Sequence, residues 1–256
     1  MDGGGLMSGS ISIEVRDLVK KLRTTEALKG LSMNFSAGVI HGVIGPEGAG
    51  KTTFLRHLMG LLKADGGTIR FISEGKKTEF SQLRERIAYM PQTQSLYPEL
   101  SVHEHLEFFR TLFRLPDQEY KTRREKLLRM ARLEEFTDRL ASQLSGGMYK
   151  KLGLICSLLA SPQVLLLDEP TNGVDPLSRR DFWELLYELV KGEDVLILVT
   201  TSYMDEALKC EVVHLLFDGK SLLEGPPSEI LRQKNCRTFD EVFLQYDAQS
   251  DLQEAL

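Results

Sequence analysis

The sequence predicts an α/β fold with a parallel sheet as its core, an antiparallel β subdomain and an inserted α-helical subdomain. Two continuous apolar runs, VLLLD at 164–168 and VLILVTT at 195–201, have the length of fully buried parallel strands. A helical pattern at 179–191 lies between them, and a short β-branched run at 42–45 leads into a glycine-rich loop. Because helical patterns dominate from about 93 to 160, we expect that stretch to be the insertion.

The remaining elements follow from local patterns. Alternating residues in ISIEVRDL predict a first strand at 11–18, and LSMNFSAG at 31–38 predicts a second that ends in a turn. We expect these two strands to pair antiparallel. Apolar residues at helical spacing predict a helix at 52–62 after the glycine-rich loop. Turn residues at 64–67 precede a predicted strand, TIRFI, and IAYM at 87–90 is a further candidate strand.

Composition limits the class of protein. At 256 residues and 42% hydrophobic content, the chain is long enough for one sizeable core. We expect a flexible leader at 1–10, one domain at 11–244 that contains the insertion, and a C-terminal tail at 245–256. A net charge of -5 gives no basic field, so no nucleic-acid partner is expected. No apolar run approaches the roughly 20 residues of a membrane-spanning helix.

The segment GPEGAGKT at 45–52 matches the phosphate-binding pattern GxxxxGK[ST] between a predicted strand and a predicted helix. Its glycines let successive backbone N–H groups turn inward around phosphate oxygens, and the helix adds its positive N-terminal end. Lys51 supplies a charge to the β and γ phosphates, and the Thr52 hydroxyl is placed to bind the bridging Mg²⁺. The predicted ATP contacts are Gly45, Pro46, Glu47, Gly48, Ala49, Gly50, Lys51, Thr52 and Thr53.

The segment VLLLDEP at 164–170 places two adjacent carboxylates at the carboxyl end of a buried strand. Binding sites in open α/β sheets lie at that edge. Asp168 is the predicted magnesium partner, through water, and Glu169 is the candidate general base for an attacking water.

A third segment, LSGGM at 144–148, taken alone is only a helix N-cap followed by a glycine turn. Together with the two preceding motifs, it makes the chain resemble the ATP-binding cassette (ABC) family over about 11–244. The resemblance implies a P-loop NTPase core of the ABC-ATPase type and two cassettes that sandwich two nucleotides. In that arrangement this segment contacts the γ phosphate of ATP held by the second cassette, through Ser145, Gly146 and Gly147.

Further likenesses concern partners. YMPQ at 89–92 is similar to the family's glutamine loop, which implies that Gln92 lies near magnesium and near a transmembrane partner. VDP, with Asp175, is similar to the loop that joins the cassettes. Other segments, including FDEVFL at 239–244, resemble multidrug exporters of the ABC-2 type, especially the first cassette of a tandem bacterial exporter ATPase. The resemblance implies ATP hydrolysis that drives an ABC-2 permease, at the cytoplasmic, inner face of the cell membrane.

Three positions depart from the family pattern. Met148 replaces the usual glutamine after LSGG. Ser202 stands where the family places a histidine that contacts the γ phosphate, so we count Ser202 with Glu169 among the catalytic candidates and expect it to reach less far. Leu22 matches the position of an aromatic residue that stacks on adenine.

Two other interpretations of function stay open. The first is a slowly hydrolysing regulatory module, because Ser202 and Leu22 weaken its site. The second is a ribosome-associated or DNA-linked ABC ATPase that lacks a membrane partner. For the leading interpretation, we expect the segment at about 92–114 to dock a cytoplasmic helix of a membrane protein, because its aromatic and leucine residues exceed what a solvated lobe requires.

Overall fold

The computed structural model describes residues 10–93, 96–192 and 194–254, and a six-stranded sheet forms the centre of this part of the chain. The strand order is β10-β9-β3-β8-β7-β6, and all neighbours are parallel except β9 and β10. The carboxyl ends of the parallel strands therefore meet at one edge. The strands are β3 Ile40–Ile44, β6 Ile87–Met90, β7 Val164–Asp168, β8 Leu196–Thr201, β9 Val212–Phe217 and β10 Lys220–Gly225.

A second sheet is antiparallel, with the order β2-β1-β4-β5. The expected antiparallel subdomain is thus confirmed, although its strands are longer than predicted. The second strand begins at Thr25 and not at 31, because Gly30 with φ 78° carries the backbone through a break in the alternating pattern. The strands are β1 Ile11–Leu22, β2 Thr25–Phe35, β4 Gly66–Ser73 and β5 Lys76–Thr78.

Helices surround the central sheet, and three of them, α3 to α5, lie within the predicted insertion. The helix predicted at 52–62 ends earlier, at Leu58, because Gly60 adopts φ 65° beside the ring of Phe80. The helices are α1 Lys51–Leu58, α2 Phe80–Leu83, α3 Val102–Phe113, α4 Asp117–Ala131, α5 Gly146–Leu158, α6 Pro176–Gly192, α7 Pro227–Lys234 and α8 Phe239–Glu254.

The predicted domain limits of 11–244 remain a prediction. Helix α8 runs through the boundary between the domain and the predicted tail without a change of element. The predicted leader lies outside the described residues except for Ser10. None of the described helices has the length and apolar composition of a membrane span.

Two buried histidines connect β3, β9 and β10 beneath the antiparallel sheet. The Ser36 N–H donates to His41 Nε2 at 3.0 Å, and His41 Nδ1 lies 3.1 Å from His214 Nε2. His214 Nδ1 lies 3.1 Å from Glu224 Oε2. The contacts therefore form one chain of hydrogen bonds in which the Ser36 N–H donates to neutral His41, His41 donates to neutral His214, and His214 donates to the Glu224 carboxylate. Burial, together with the neighbouring His214, lowers the pKa of His41 to about 4.

This depressed pKa predicts a loss of stability in mild acid. Between pH 6.5 and about 4 the unfolded chain binds a proton at His41 and the folded chain does not, so the free energy of unfolding falls as the pH falls. The loss amounts to about 3 kcal/mol at most, since one pKa unit corresponds to about 1.4 kcal/mol. Urea unfolding at about pH 7 and about pH 5 measures it.

The His41→Gln variant should show a smaller difference between the two pH values than the wild type, because the titrating group is gone. His103→Gln removes an exposed histidine and serves as the control. An identical pH dependence in the wild type and His41→Gln would show that His41 is not the group responsible.

Candidate functional site

The phosphate loop at 45–50 joins β3 to α1, which begins at Lys51, at the carboxyl edge of the central sheet. Its glycines are required by close packing as well as by backbone conformation. A Cβ at Gly45 would lie 2.1 Å from the carbonyl oxygen of Leu216, and one at Gly50 would lie 2.6 Å from that of Ala27. Gly50 also adopts φ 105°, which side chains rarely allow. The loop is therefore held tightly between both sheets, with its backbone near the N-terminus of α1.

Lys51 is the first residue of α1, and its side chain is only 4% exposed. Its Nζ donates to the carbonyl oxygens of Gly45 at 2.8 Å and Pro46 at 2.9 Å, and lies 3.2 Å from Glu169 Oε1. The ammonium group is thus folded over the loop in an ion pair with the predicted general base.

Asp168 ends β7, and its carboxylate is fully buried. Three hydroxyls donate to it: Thr52 at 3.1 Å and Thr200 at 2.7 Å to Oδ1, and Tyr89 at 3.1 Å to Oδ2. Burial and the charge of Asp168 raise the pKa of Tyr89 to about 12, so this hydroxyl keeps its proton at neutral pH. Neutral donors therefore satisfy the carboxylate without cancelling its charge.

Glu169 follows Asp168 with a φ of 45°, a left-handed conformation that is uncommon outside glycine. Its backbone N–H donates to Thr200 O at 3.0 Å. Oε2 accepts from Asn172 Nδ2 at 3.2 Å and from Gln92 Nε2 at 3.4 Å, while Oε1 faces Lys51. The turn after β7 thus directs the two neighbouring carboxylates to different partners.

An open cavity of about 460 Å³ lies above the loop. At one end it reaches Leu22, which is 41% exposed where β1 ends, and Ala27 of β2. At the other end it reaches Glu169 and Gln92. The cavity therefore joins the predicted adenine-facing position to the predicted phosphate site. The predicted site residues along it are Glu47, Gly48, Gly50, Lys51, Thr52, Thr53, Gln92 and Glu169.

Comparison with known proteins shows the family. Residues 28–172 match the protein family described as ABC transporter, which is more than half of the chain. The chain belongs to the ABC transporter family. ATP-binding domains of this family hydrolyse ATP.

Relatives and solved structures agree. The probable multidrug ABC transporter ATP-binding protein YbhF of Escherichia coli is 43% identical over 213 residues, covering 83% of this chain and 37% of the relative. The Nod factor export ATP-binding protein I of Ralstonia nicotianae is 36% identical, covering 90% and 71%. The structure of cbiO1 from Clostridium perfringens, part of the ABC transporter complex cbiONQ, superposes with a TM-score of 0.78 at 29% identity, covering 94% and 98%. The chain thus spans little more than a third of the length of YbhF.

The segment LSGGM at 144–148 contains the N-terminus of α5. The Ser145 hydroxyl accepts from the Met148 N–H at 3.3 Å, as an N-cap does. Gly147 lies against α6, where a Cβ would stand 2.4 Å from that of Ser178. Within the described part of the chain, Ser145, Gly146 and Gly147 do not line the cavity above the loop. The predicted contact of these residues with a second cassette remains a prediction.

Ser202 follows β8 and is half-buried. The turn after this strand is closed by its neighbours, because the Tyr203 N–H donates to Thr201 Oγ1 at 3.0 Å. The Ser202 side chain makes no hydrogen bond to a described residue and does not line the cavity. Its predicted catalytic role therefore receives no support from its present contacts and remains a prediction.

The structure adds residues that the sequence analysis did not identify. Thr200 donates to Asp168 because the two residues are opposite each other in the parallel pairing of β7 and β8. Pairing the two apolar runs of the sequence in parallel could have identified this contact. Tyr89 lies three residues before Gln92, and Asn172 lies three residues after Glu169. The sequence does not give their contacts, because these depend on tertiary packing.

The donors around Asp168 fit a magnesium ion. Within the described residues this buried carboxylate makes no ion pair, and the Thr52 hydroxyl lies beside it on the cavity side. Hydroxyl and carboxylate oxygens are hard ligands of the kind that Mg²⁺ prefers, and Mg²⁺ usually binds one or two protein groups together with substrate phosphates. Gln92, at the edge of the cavity, is the third predicted ligand.

Proposed function

We propose that this chain is the ATP-binding and ATP-hydrolysing subunit, or half, of an ABC exporter, and that it closes as a cassette dimer on ATP. The observation that carries this proposal is the pair of contacts at the phosphate loop in which buried Lys51 faces Glu169 and Thr52 donates to Asp168. Relatives named for multidrug and Nod factor export favour an exporter. The proposed partners are a second cassette, of the same chain type or a tandem half, and an ABC-2 permease in the cell membrane, with the cassettes on its cytoplasmic face.

The proposed reaction begins when Lys51 exchanges its contacts. Phosphate oxygens carry full negative charge and accept stronger hydrogen bonds than the carbonyls of Gly45 and Pro46, so Nζ turns toward the β and γ phosphates. Thr52, Asp168 and Gln92 would hold Mg²⁺, and the ion would neutralise charge on the phosphates.

Glu169 then becomes free to act. Its Oε1 loses the ion pair with Lys51, while Asn172 and Gln92 still donate to Oε2. The carboxylate accepts a proton from the water that attacks the γ phosphorus, and ADP leaves on the opposite side. This order of events gives Lys51 and Glu169 different partners before and after nucleotide binding.

A groove of about 870 Å³ beside the helical insertion is the proposed docking surface for the permease. Phe109, Leu112 and Phe113 of α3 line one side of it, and Leu112 is 59% exposed. Tyr89 lines the same groove and donates to Asp168, so this surface is continuous with the nucleotide site. Arg84, Glu85 and Arg114 also line the groove, so an amphipathic cytoplasmic helix with an apolar face and flanking polar groups fits it.

The slowly hydrolysing module is the second candidate function. Ser202 favours it, because its side chain makes no contact that orients Glu169 or a water molecule among the described residues. Glu169 favours an active enzyme, because Lys51 pairs with one carboxylate oxygen while Asn172 and Gln92 donate to the other and hold the group in place. Single-turnover hydrolysis distinguishes these candidates because it isolates chemistry from product release.

The Glu169→Gln variant tests the proposed function. Replacing the general base with a neutral amide should lower the rate of ATP hydrolysis by about 100-fold or more while ATP still binds. With magnesium and ATP, gel filtration should show a dimer, provided that the proper partner cassette is present. Glu188→Gln changes an exposed glutamate of α6 and serves as the control. A wild-type rate in Glu169→Gln would refute the assignment, and elution only as a monomer would count against cassette closure.

Crosslinking tests the docking surface. Leu112→Cys in a Cys236→Ser background should crosslink to a multispanning permease in native membranes, because the side chain at this position is exposed and lines the groove. Leu61→Cys is a matched control, since Leu61 is 61% exposed and lies outside the groove. Equal capture from both positions would argue against a specific surface, and capture of ribosomal proteins alone would favour the ribosome-associated alternative.

A further inference from the structure

The turns after β7 and β8 are joined by one amide side chain, that of Asn172. Its Nδ2 donates to Glu169 Oε2 at 3.2 Å, and its Oδ1 accepts from the Tyr203 hydroxyl at 3.3 Å. Because an ionised carboxylate only accepts hydrogen bonds, the amide NH2 faces Glu169 and the amide oxygen is left to accept from Tyr203. The hydroxyl of Tyr203 thus acts on Glu169 through Asn172.

Tyr203 itself is held on two sides. Its backbone N–H donates to Thr201 Oγ1 at 3.0 Å, which fixes the turn after β8. The guanidinium carbon of Arg179 lies 4.1 Å from the centre of the Tyr203 ring, in cation–π geometry. Arg179 also lies 3.7 Å from Asp205. The ring therefore has little freedom, and its hydroxyl is directed at Asn172.

A buried carboxylate supports both turns from below. Glu206 is fully buried, and its Oε1 accepts from Thr171 Oγ1 at 2.8 Å and from Trp183 Nε1 at 2.9 Å. Thr171 directly precedes Asn172, and Trp183 belongs to α6. Glu206 consequently ties the turn that carries Asn172 to the helix that carries Arg179.

We propose that Asn172 and Tyr203 are positioning residues that hold the Glu169 carboxylate for its reaction with water. This inference rests on the proposed function, in which Glu169 is the general base and loses Lys51 to the phosphates. Gln92 donates from an exposed position at 3.4 Å, so Asn172 is the nearer and better supported of the two donors to Oε2. The turn that carries Ser202 thereby reaches Glu169 through the next residue, Tyr203.

The Tyr203→Phe variant removes only the hydroxyl and keeps the ring beneath Arg179. The kcat for ATP hydrolysis should fall about five- to twentyfold with KM for ATP within about twofold, because small errors in position slow chemistry more than binding. Asn172→Ala should slow the reaction at least as much. The double variant should be no slower than Asn172→Ala alone, since both residues act through one chain of hydrogen bonds.

A charge at the amide position gives an independent readout. Asn172→Asp keeps the size of the side chain but puts a carboxylate where Nδ2 donates to Glu169, so kcat should fall at least as far as in Asn172→Ala while KM for ATP stays within about twofold. A purely structural role of the side chain predicts instead that this variant, which has nearly the same shape, keeps the wild-type kcat. Tyr187→Phe is the matched control. It removes a hydroxyl of α6, the helix that carries Arg179, and this hydroxyl donates to Lys209 O at 2.9 Å and not to Asn172. The kcat of this variant should equal that of the wild type.

The outcomes are distinct. If Glu169→Gln is slow but Tyr203→Phe keeps the wild-type kcat, the positioning role is refuted and the proposed function stands. Effects of Tyr203→Phe and Asn172→Ala that multiply in the double variant would also refute it. If Glu169→Gln itself hydrolyses ATP at the wild-type rate, both the proposed function and the positioning role fail.

Discussion

The ion pair between Lys51 and Glu169 is the interaction on which the site depends. Both side chains are almost fully buried and lie 3.2 Å apart, with the buried charge of Asp168 next in sequence. An unpaired charge in such a place costs several kcal/mol, so each group needs its partner until a ligand replaces it. A nucleotide with its magnesium ion supplies both the negative and the positive charge that this arrangement requires.

The central sheet brings these charges together. Strands β3, β7 and β8 are buried along their whole lengths. Because they pair in parallel, the phosphate loop, Asp168 and Thr200 all lie at the same edge of the sheet. The hydroxyls that satisfy Asp168 come from α1, β6 and β8, so three elements are fixed by one carboxylate. Tyr89 extends this unit to the groove beside the insertion, so it physically connects the proposed docking surface with the nucleotide site.

The sequence predicted the fold class and the local motifs well, because a phosphate loop or a buried strand with a carboxylate at its end is determined by a few consecutive residues. It did not predict the partners of those motifs. Tyr89 and Asp168 are 79 residues apart, and Tyr203 and Asn172 are 31 apart, so only packing brings them together. The start of β2 was missed because Gly30 interrupts the alternating pattern. The contact of Ser145 with a second cassette remains a prediction, because it depends on a partner that one sequence does not determine.

The affinity for ADP with magnesium tests most directly whether Lys51 is shared between Glu169 and the nucleotide. ADP lacks the γ phosphate on which the proposed cassette closure depends, so titration calorimetry reports binding without that closure. Glu169→Gln should bind ADP several times more tightly than the wild type, because Lys51 no longer has to leave an ion pair and a buried negative charge is gone. An affinity equal to or weaker than that of the wild type would contradict the account.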